Sequence, residues 1–509
     1  MTFFSRCYPV LLILLAVAIG STQTAASAAA LDALDYQAAL GPLYSPRAGV
    51  APGGIGPIER GAMQSLLTWS GIALDASGLD HTPPGPLEAR VFGEQLGPGR
   101  SSRAMAIVHI AMFEAINAIS RRFQSYSNFA RATPGASMEV ATAQAAHDAL
   151  VALYPSQRDL LDKRLKIELR RVRASTGKSL GITLGIQAAR AILAVRANDR
   201  SAHAEARIGV DYFAGTAPGV WRQDPISQVP LALGTRWSEV TPFALTSADQ
   251  FRAPQPPTLS SAVYVAAFNE VKALGGDGFT TPTVRTAEQT QVGIYWAYDG
   301  MPSLCAPPRL YNQIATQIAR QMRSNVLETA RLMALVNIAM ADTGIASWES
   351  KYYYAFWRPV TGIRESDTGT GPSALGDGNP ATQGDVTFTP LGAPASNLNG
   401  PNFTPPFPAY PSGHAAFGGA LFHTLRLFYG RDDIAFSFIS DEYNGYTMDN
   451  EGVRRPLLER RFSTLSQAEE ENGQSRIYLG IHWSFDKTAG IDQGRLVADY
   501  VYQNILQPL

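Results

Sequence analysis

Three separated blocks near the C-terminal end of this 509-residue chain, KYYYAFWRP (351–359), PSGH (411–414) and SRIYLGIHWSFD (475–486), carry the residues with the most chemistry to offer. A tetrahedral oxyanion needs cations around its oxygens, neutral donors for the oxygens that remain, and a group that carries protons. Lys351, Arg358 and Arg476 supply the positive charge, the arginines as planar forks suited to paired oxygens and the lysine as a point charge. Ser412 and Gly413 precede the run HAAFGGALFHTLRLF, which reads as a helix, so Ser412 is expected as its N-cap and Gly413 as a backbone N–H donor at the positive end of the dipole. His414 and His482 complete the set, because imidazole both titrates near neutral pH and bonds a central atom through one nitrogen.

Spacing adds two constraints. Asp486 follows His482 by four residues, one helical turn, and there it orients the imidazole and raises its basicity. Arg476 and His482 lie six residues apart, on different sides of any continuous helix, so they meet only if the chain turns between them. Gly480 is the expected hinge.

These blocks, in this order, resemble the signature shared by vanadium-dependent haloperoxidases and the type 2 phosphatidic acid phosphatase and bacterial acid phosphatase superfamily. The flanks YWAYDG (295–300), PPRLYNQIA (307–315), WESKYYYAFWRP (348–359), PPFPAYPSGHAAFGGA (405–420) and NGQSRIYLGIHWSFD (472–486) resemble the fungal-type chloroperoxidase branch over most of residues 280–495. The resemblance implies one vanadate per chain, with His482 as the vanadium ligand and Lys351, Arg358, Ser412, Gly413 and Arg476 bonded to its oxygens. It implies His414 as the acid–base group, Trp348 and Phe407 beside the halide, and Asp299 paired with a site arginine. A histidine stands at the Phe407 position in bromoperoxidases, so Phe407 points toward chloride competence.

By the same resemblance the reaction is oxidation of chloride or bromide by hydrogen peroxide to hypohalous acid, which halogenates small organic acceptors. Vanadate serves as a Lewis acid of fixed oxidation state, and phosphate competes with it. An alternative uses the same residues in an exported acid phosphatase, with His482 as nucleophile and His414 as general acid. The aromatic surroundings Trp348, Phe356, Trp357, Phe407 and Tyr410 favour the peroxidase. A third possibility, an oxyanion-binding protein without catalysis, leaves His414 without a role.

Other histidines read as structural. His109 lies on a helix face marked by Met105, Val108, Met112, Ile116 and Ile119 and is expected in the core. His423 shares a helix with His414 but points the other way. His81, His147 and His203 have no partners at ligand spacing and are expected at the surface, as is Lys487.

Lys and Arg number 42 against 43 Asp and Glu, a balance that gives no support for nucleic acid or an anionic membrane as partner. Arg6, the apolar stretch from Val10 to Ile19 and Ala26-Ser27-Ala28 have the form of a cleaved signal peptide over residues 1–28, which predicts a secreted or periplasmic protein without integral membrane association. Cys7 falls within it and leaves Cys305 with no partner for an intramolecular disulfide.

The elements that must position these residues follow from apolar periodicity. Helices are predicted near 59–73, 100–120, 137–154, 156–175 and 178–198, then near 260–274, 284–300, 308–324, 326–343, 412–428, 434–446, 462–479 and 484–505. A polar, proline-bearing stretch at 213–258 separates an N-terminal helical region (29–258) from a C-terminal catalytic one (259–509). The prediction is an all-α protein of two four-helix-type bundles with long irregular loops and the site in the C-terminal bundle. The loop from Arg358 to Pro405 is too long for a simple connection and is expected to skirt the pocket.

Overall fold

The computed structural model describes residues 36–47, 61–129 and 134–509; the predicted signal peptide lies outside them. Fourteen α-helices occur among the described residues. In the first half they are α1 (Tyr36–Leu40), α2 (Ala62–Asp80), α3 (Gly97–Ser120), α4 (Met138–Leu153), α5 (Arg158–Arg171) and α6 (Thr176–Val195). In the second half they are α7 (Ala262–Leu274), α8 (Ala287–Tyr295), α9 (Pro308–Gln321), α10 (Val326–Tyr354), α11 (Pro359–Arg364), α12 (Gly413–Tyr429), α13 (Leu465–Tyr478) and α14 (Ser484–Asn504).

The protein is all-α in class and built as two helical bundles. Helices α2, α3, α4 and α6 pack on one another, as do α10, α12, α13 and α14, and α3 lies against α10. The His109 face of α3 is buried as its periodicity predicts: Met105, Val108, Met112 and Ile116 join the core, and His109 bonds to the Met105 carbonyl and to Ser70. The stretch between α6 and α7 binds the second half through its backbone. Phe243, Ala244 and Leu245 donate their N–H groups to the buried Asp342 carboxylate, and the Trp221 N–H reaches the Ala355 carbonyl.

Helix α10 begins with a capping box between Asn325 and Glu328. It runs eleven residues past its predicted end, to Tyr354, where Ala355 turns left-handed at φ 47°. The extension buries the Trp348 and Lys351 side of the last turns against α12 and the 405–411 segment, and that burial outweighs the β-branched and aromatic residues that lower helix propensity there.

One predicted helix is a strand. Residues 436–444 pair antiparallel with Leu457–Phe462 to form a hairpin. Phe436, Phe438, Ser440 and Glu442 face inward at every second position, the period-2 alternation that the apolar content of 434–446 obscured. The predicted surface positions of three histidines are also overturned: His81, His147 and His203 are all buried. Hydrogen bonds engage both ring nitrogens of His81 and His147 but only Nδ1 of His203, whose Nε2 is buried without a partner among the described residues. His81 bonds to the Ser77 carbonyl and the Gly97 N–H, His147 bridges Asp148 and Asp162, and His203 bonds to the Arg200 carbonyl. Lys487 is half-buried rather than fully solvated, held by Glu470 and Gln474.

Helices α12 and α14 touch through backbone. A Cβ at Gly490 would lie 2.5 Å from the Ser412 carbonyl oxygen, and one at Gly494 would collide with the Ala416 carbonyl. The two elements that carry PSGH and the end of the third block are thereby held in close backbone contact.

Candidate active site

Lys351 sits on the last turn of α10, Arg358 just before α11, and Ser412 at the N-cap of α12, where its Oγ accepts the Ala415 N–H. Arg476 ends α13. The chain then reverses at Gly480, φ 71°, and His482 arrives two residues before α14. The hinge expected at Gly480 is therefore present, and it brings Arg476 and His482 into one pocket. The charges of Arg358, Lys351 and Arg476 all reach His482.

Hydrogen bonds fix the protonation of both histidines. His482 Nδ1 faces Asp486 Oδ2 at 2.8 Å, while its Nε2 faces Arg358 Nη1 at 2.9 Å. A carboxylate requires a donor and a guanidinium requires an acceptor, so the proton is on Nδ1 and Nε2 presents its lone pair. Burial and the surrounding cations, Arg358 first, hold the imidazole pKa well below its ordinary value. Asp486 also accepts the Trp483 N–H at 3.1 Å, and its backbone carbonyl accepts the Ser412 N–H at 3.0 Å, which ties α14 to the PSGH turn. Burial pushes the Asp486 carboxyl up to about 7, against the Trp483 N–H and the charges of Lys351 and Arg358.

His414 Nε2 lies 2.5 Å from the Ala297 carbonyl, so that nitrogen carries the proton and Nδ1 the lone pair. Tyr311 and Asn472 hold the His414 carbonyl at 2.9 and 3.0 Å. Burial, then Arg476, keeps this imidazole neutral well below the usual histidine range.

The cations differ in how much of their hydrogen bonding is already committed. Lys351 Nζ donates to the Pro408, Ala409 and Pro411 carbonyls, an arrangement that takes all three hydrogens of an ammonium. Burial, followed by the neighbouring Arg358, lowers its pKa, and the charge of Asp486 works against that. It thus serves the pocket by charge. Arg358 bonds to the Phe407 and Ile481 carbonyls and to His482. Arg476 pairs bidentately with Asp299 at 2.8 and 2.9 Å through Nη2 alone. Its Nε and Nη1 are buried with no partner.

Two orphaned donors on a guanidinium of 0% side-chain exposure indicate an acceptor that the protein itself does not provide. The first turn of α12 adds the N–H groups of Gly413 and His414, which have no intrahelical acceptor. Three cations face two carboxylates, so the pocket keeps surplus positive charge. An oxyanion with the charge and shape of vanadate or phosphate fits this donor set. Trp348 and Phe407 form the aromatic wall, ring centres 4.9 Å apart, with Lys351 Nζ 5.2 Å from the Phe407 ring centre.

Every site residue expected from the sequence is brought to this pocket or its immediate support, whereas His423 bonds to Asp499. Sequence reasoning missed the frame behind Ala297 and Asp299. The Glu442 carboxylate, buried with Arg455 and Ser396, accepts the Tyr298 N–H, and the Asp441 N–H bonds to the Tyr298 hydroxyl. These partners come from the hairpin, so a helical reading of 434–446 concealed them.

A family model described as the VCPO second helical-bundle domain matches residues 331–509. The vanadium chloroperoxidase of Curvularia inaequalis is 30% identical over 504 residues, covering 84% of this chain and 80% of that protein. The crystal structure of a bacterial vanadium-dependent iodoperoxidase shares the fold, with a TM-score of 0.68 at 23% identity over 87% of this chain and 97% of the other. An apo bacterial vanadium-dependent chloroperoxidase shares it with a TM-score of 0.58 at 17% identity over 80% and 94%.

Proposed function

This chain belongs to the vanadium-dependent haloperoxidase family, and from that premise we propose that it oxidises chloride or bromide with hydrogen peroxide to hypohalous acid, which halogenates small organic acceptors. The observation that carries the reading is the His482 Nε2 lone pair, fixed by Asp486 and standing in a pocket with two unpaired Arg476 donors. Vanadate, when bound, would supply Lewis-acid chemistry at a fixed oxidation state.

The chain's own residues do the rest. His482 would hold the cofactor through Nε2, in place of the bond that Nε2 accepts from Arg358 Nη1, and Asp486 keeps the proton on Nδ1 so that the lone pair stays on Nε2. Arg476, the Ser412 hydroxyl and the Gly413 N–H bind oxygens, while Lys351 and Arg358 offset negative charge in a buried setting where it is costly. His414, held neutral by burial and Arg476, takes a proton from peroxide at Nδ1, and Ala297 keeps the ring oriented through Nε2. Phe407 and Trp348 give the halide a dry, weakly polar seat beside the cations. Residues 1–28 would direct the protein out of the cytoplasm.

Hydrolysis of phosphate esters is the second reading, because the same Nε2 lone pair suits attack on phosphorus. Apo-protein at mildly acidic pH, given orthovanadate, peroxide and bromide or chloride, separates the two. Vanadate-dependent halogenation suppressed by phosphate is the expected result. Hydrolysis of p-nitrophenyl phosphate inhibited by vanadate, with no halogenation, would replace the peroxidase by a phosphatase.

A further inference from the structure

Ala297 and Asp299 act on different groups of the anion pocket, and one residue stands between them. The Ala297 carbonyl accepts the His414 Nε2–H, and the Asp299 carboxylate accepts Arg476 Nη2 at 2.8 and 2.9 Å. Tyr298 is anchored elsewhere. Its ring is fully buried, and its hydroxyl donates to Gln313 Oε1 on α9 at 3.1 Å while accepting the Asp441 N–H from the hairpin. Gln313 Nε2 and Arg309 Nε both donate to Asp441 Oδ2, at 2.9 and 2.8 Å, so the two partners of the phenol are themselves fixed.

The backbone at Tyr298 explains what the anchor is for. Its φ is 47°, in the left-handed region, where a Cβ crowds the following carbonyl and residues other than glycine, asparagine and aspartate seldom settle. A residue in such a conformation persists only when its surroundings over-determine it. The Tyr298 N–H reaches Glu442 Oε1 at 3.4 Å, a long bond that holds little by itself. Most of the polar hold on this residue therefore comes from the two hydrogen bonds of the phenol. Glycine would take the same φ without strain but would leave the segment free to change, whereas the tyrosine is strained at its backbone and pinned at its far end.

We propose that Tyr298 is a positioning residue: held at its hydroxyl between α9 and the hairpin, it places the Ala297 carbonyl and the Asp299 carboxylate together, and so sets the His414 tautomer and the Arg476 orientation as one unit. The assignment rests on the reading of the pocket as an anion site with His414 as its acid–base group, which peroxidase and phosphatase share. With Tyr298 anchored, the proton stays on His414 Nε2 and the Nδ1 lone pair is left for the pocket. Arg476 at the same time spends only Nη2 on the protein and keeps Nε and Nη1 for the anion.

Both properties are measurable on apo-protein without turnover. Tyr298→Phe keeps the ring and removes only the hydroxyl. Proton–nitrogen NMR correlation of histidine-labelled protein, with the His414 signal assigned by its loss in His414→Gln, is expected to show the tautomer ratio moved about fivefold toward Nδ1–H, the effect of weakening one hydrogen bond. Inorganic phosphate titrated by calorimetry should bind about fivefold more weakly, and combining the change with Asp299→Asn should cost less than the sum of the two, since both act through one contact. Gln313→Met, which removes the phenol's acceptor on α9, should move both readouts in the same direction. Glu168→Gln is the control for general loosening: in the N-terminal bundle it deprives Ser65 or Trp69 of an acceptor and should move neither. Unchanged tautomer and phosphate affinity in Tyr298→Phe would overturn the proposal, as would equal shifts in Glu168→Gln. If Tyr298→Phe does not fold, Gln313→Met decides by the same two readouts. If wild-type protein binds no phosphate, the anion-site reading fails, and the His414 tautomer alone decides the role of Tyr298.

Discussion

Replacing Asp486 by Asn isolates the contribution of one charge to cofactor binding. Oδ2 accepts both the His482 Nδ1–H and the Trp483 N–H, while Oδ1 has no partner, so the amide nitrogen of Asn can take the Oδ1 position without displacing a donor. Shape and both hydrogen bonds survive, and only the charge behind the imidazole goes. Loss of a carboxylate partner behind a metal-bound histidine typically weakens metal binding about 10–100-fold, which corresponds to about 1.4–2.7 kcal/mol. Vanadate titrated into apo-protein by calorimetry, alongside the melting temperature of both apo-proteins, measures the effect directly. Affinity within twofold of wild type would refute the role given to Asp486. A large drop in apo-protein stability would show that the residue acts on the fold instead.

His482→Ala should abolish vanadate retention after dialysis and all turnover, whereas His423→Ala, which severs only contacts with Asp499 and Arg426, should leave both nearly intact; equal effects would sink the site. Glu442 is raised from its ordinary 4.5 to about 7 by burial, with Arg455 pulling the other way. A carboxyl whose folded pKa lies above its unfolded one adds stability below the unfolded value and loses it as pH rises through about 7. The difference in melting temperature between wild type and Glu442→Gln should therefore be more favourable to wild type at pH 5 than at pH 8, and a pH-independent difference would contradict this. Gly494→Ala places a methyl against the Ala416 carbonyl and should destabilise the protein by about 3 kcal/mol, with a matching fall in denaturation midpoint. An unchanged midpoint would show that the helices can separate freely.

Much of the site was legible because its chemistry is carried by uncommon side chains at fixed local offsets. Ser412 at a helix start, Gly480 at a reversal and the His482–Asp486 pair each follow from rules that act over a single turn. Contacts between distant segments were less accessible. Ala297 serves His414 through a backbone carbonyl, a group that every residue possesses, so side-chain chemistry cannot single it out. His81, His147 and His203 were misplaced because neighbouring polarity suggested solvent, while the fold buries all three and gives His81 and His147 partners from other segments. The strand at 436–444 shows the same limit: nine residues hold too few repeats to separate period 2 from period 3.6 when tertiary pairing decides between them.

The backbone contact between α12 and α14 also bears on how this protein can change over time. Because Gly490 and Gly494 bring main chain against main chain, the distance from the PSGH turn to His482 does not depend on which apolar side chains fill the surrounding bundle. Core residues elsewhere can drift by a methylene or two and leave the anion cradle in register. Segments outside α12 and α14 are then free to vary without retuning the spacing of that centre.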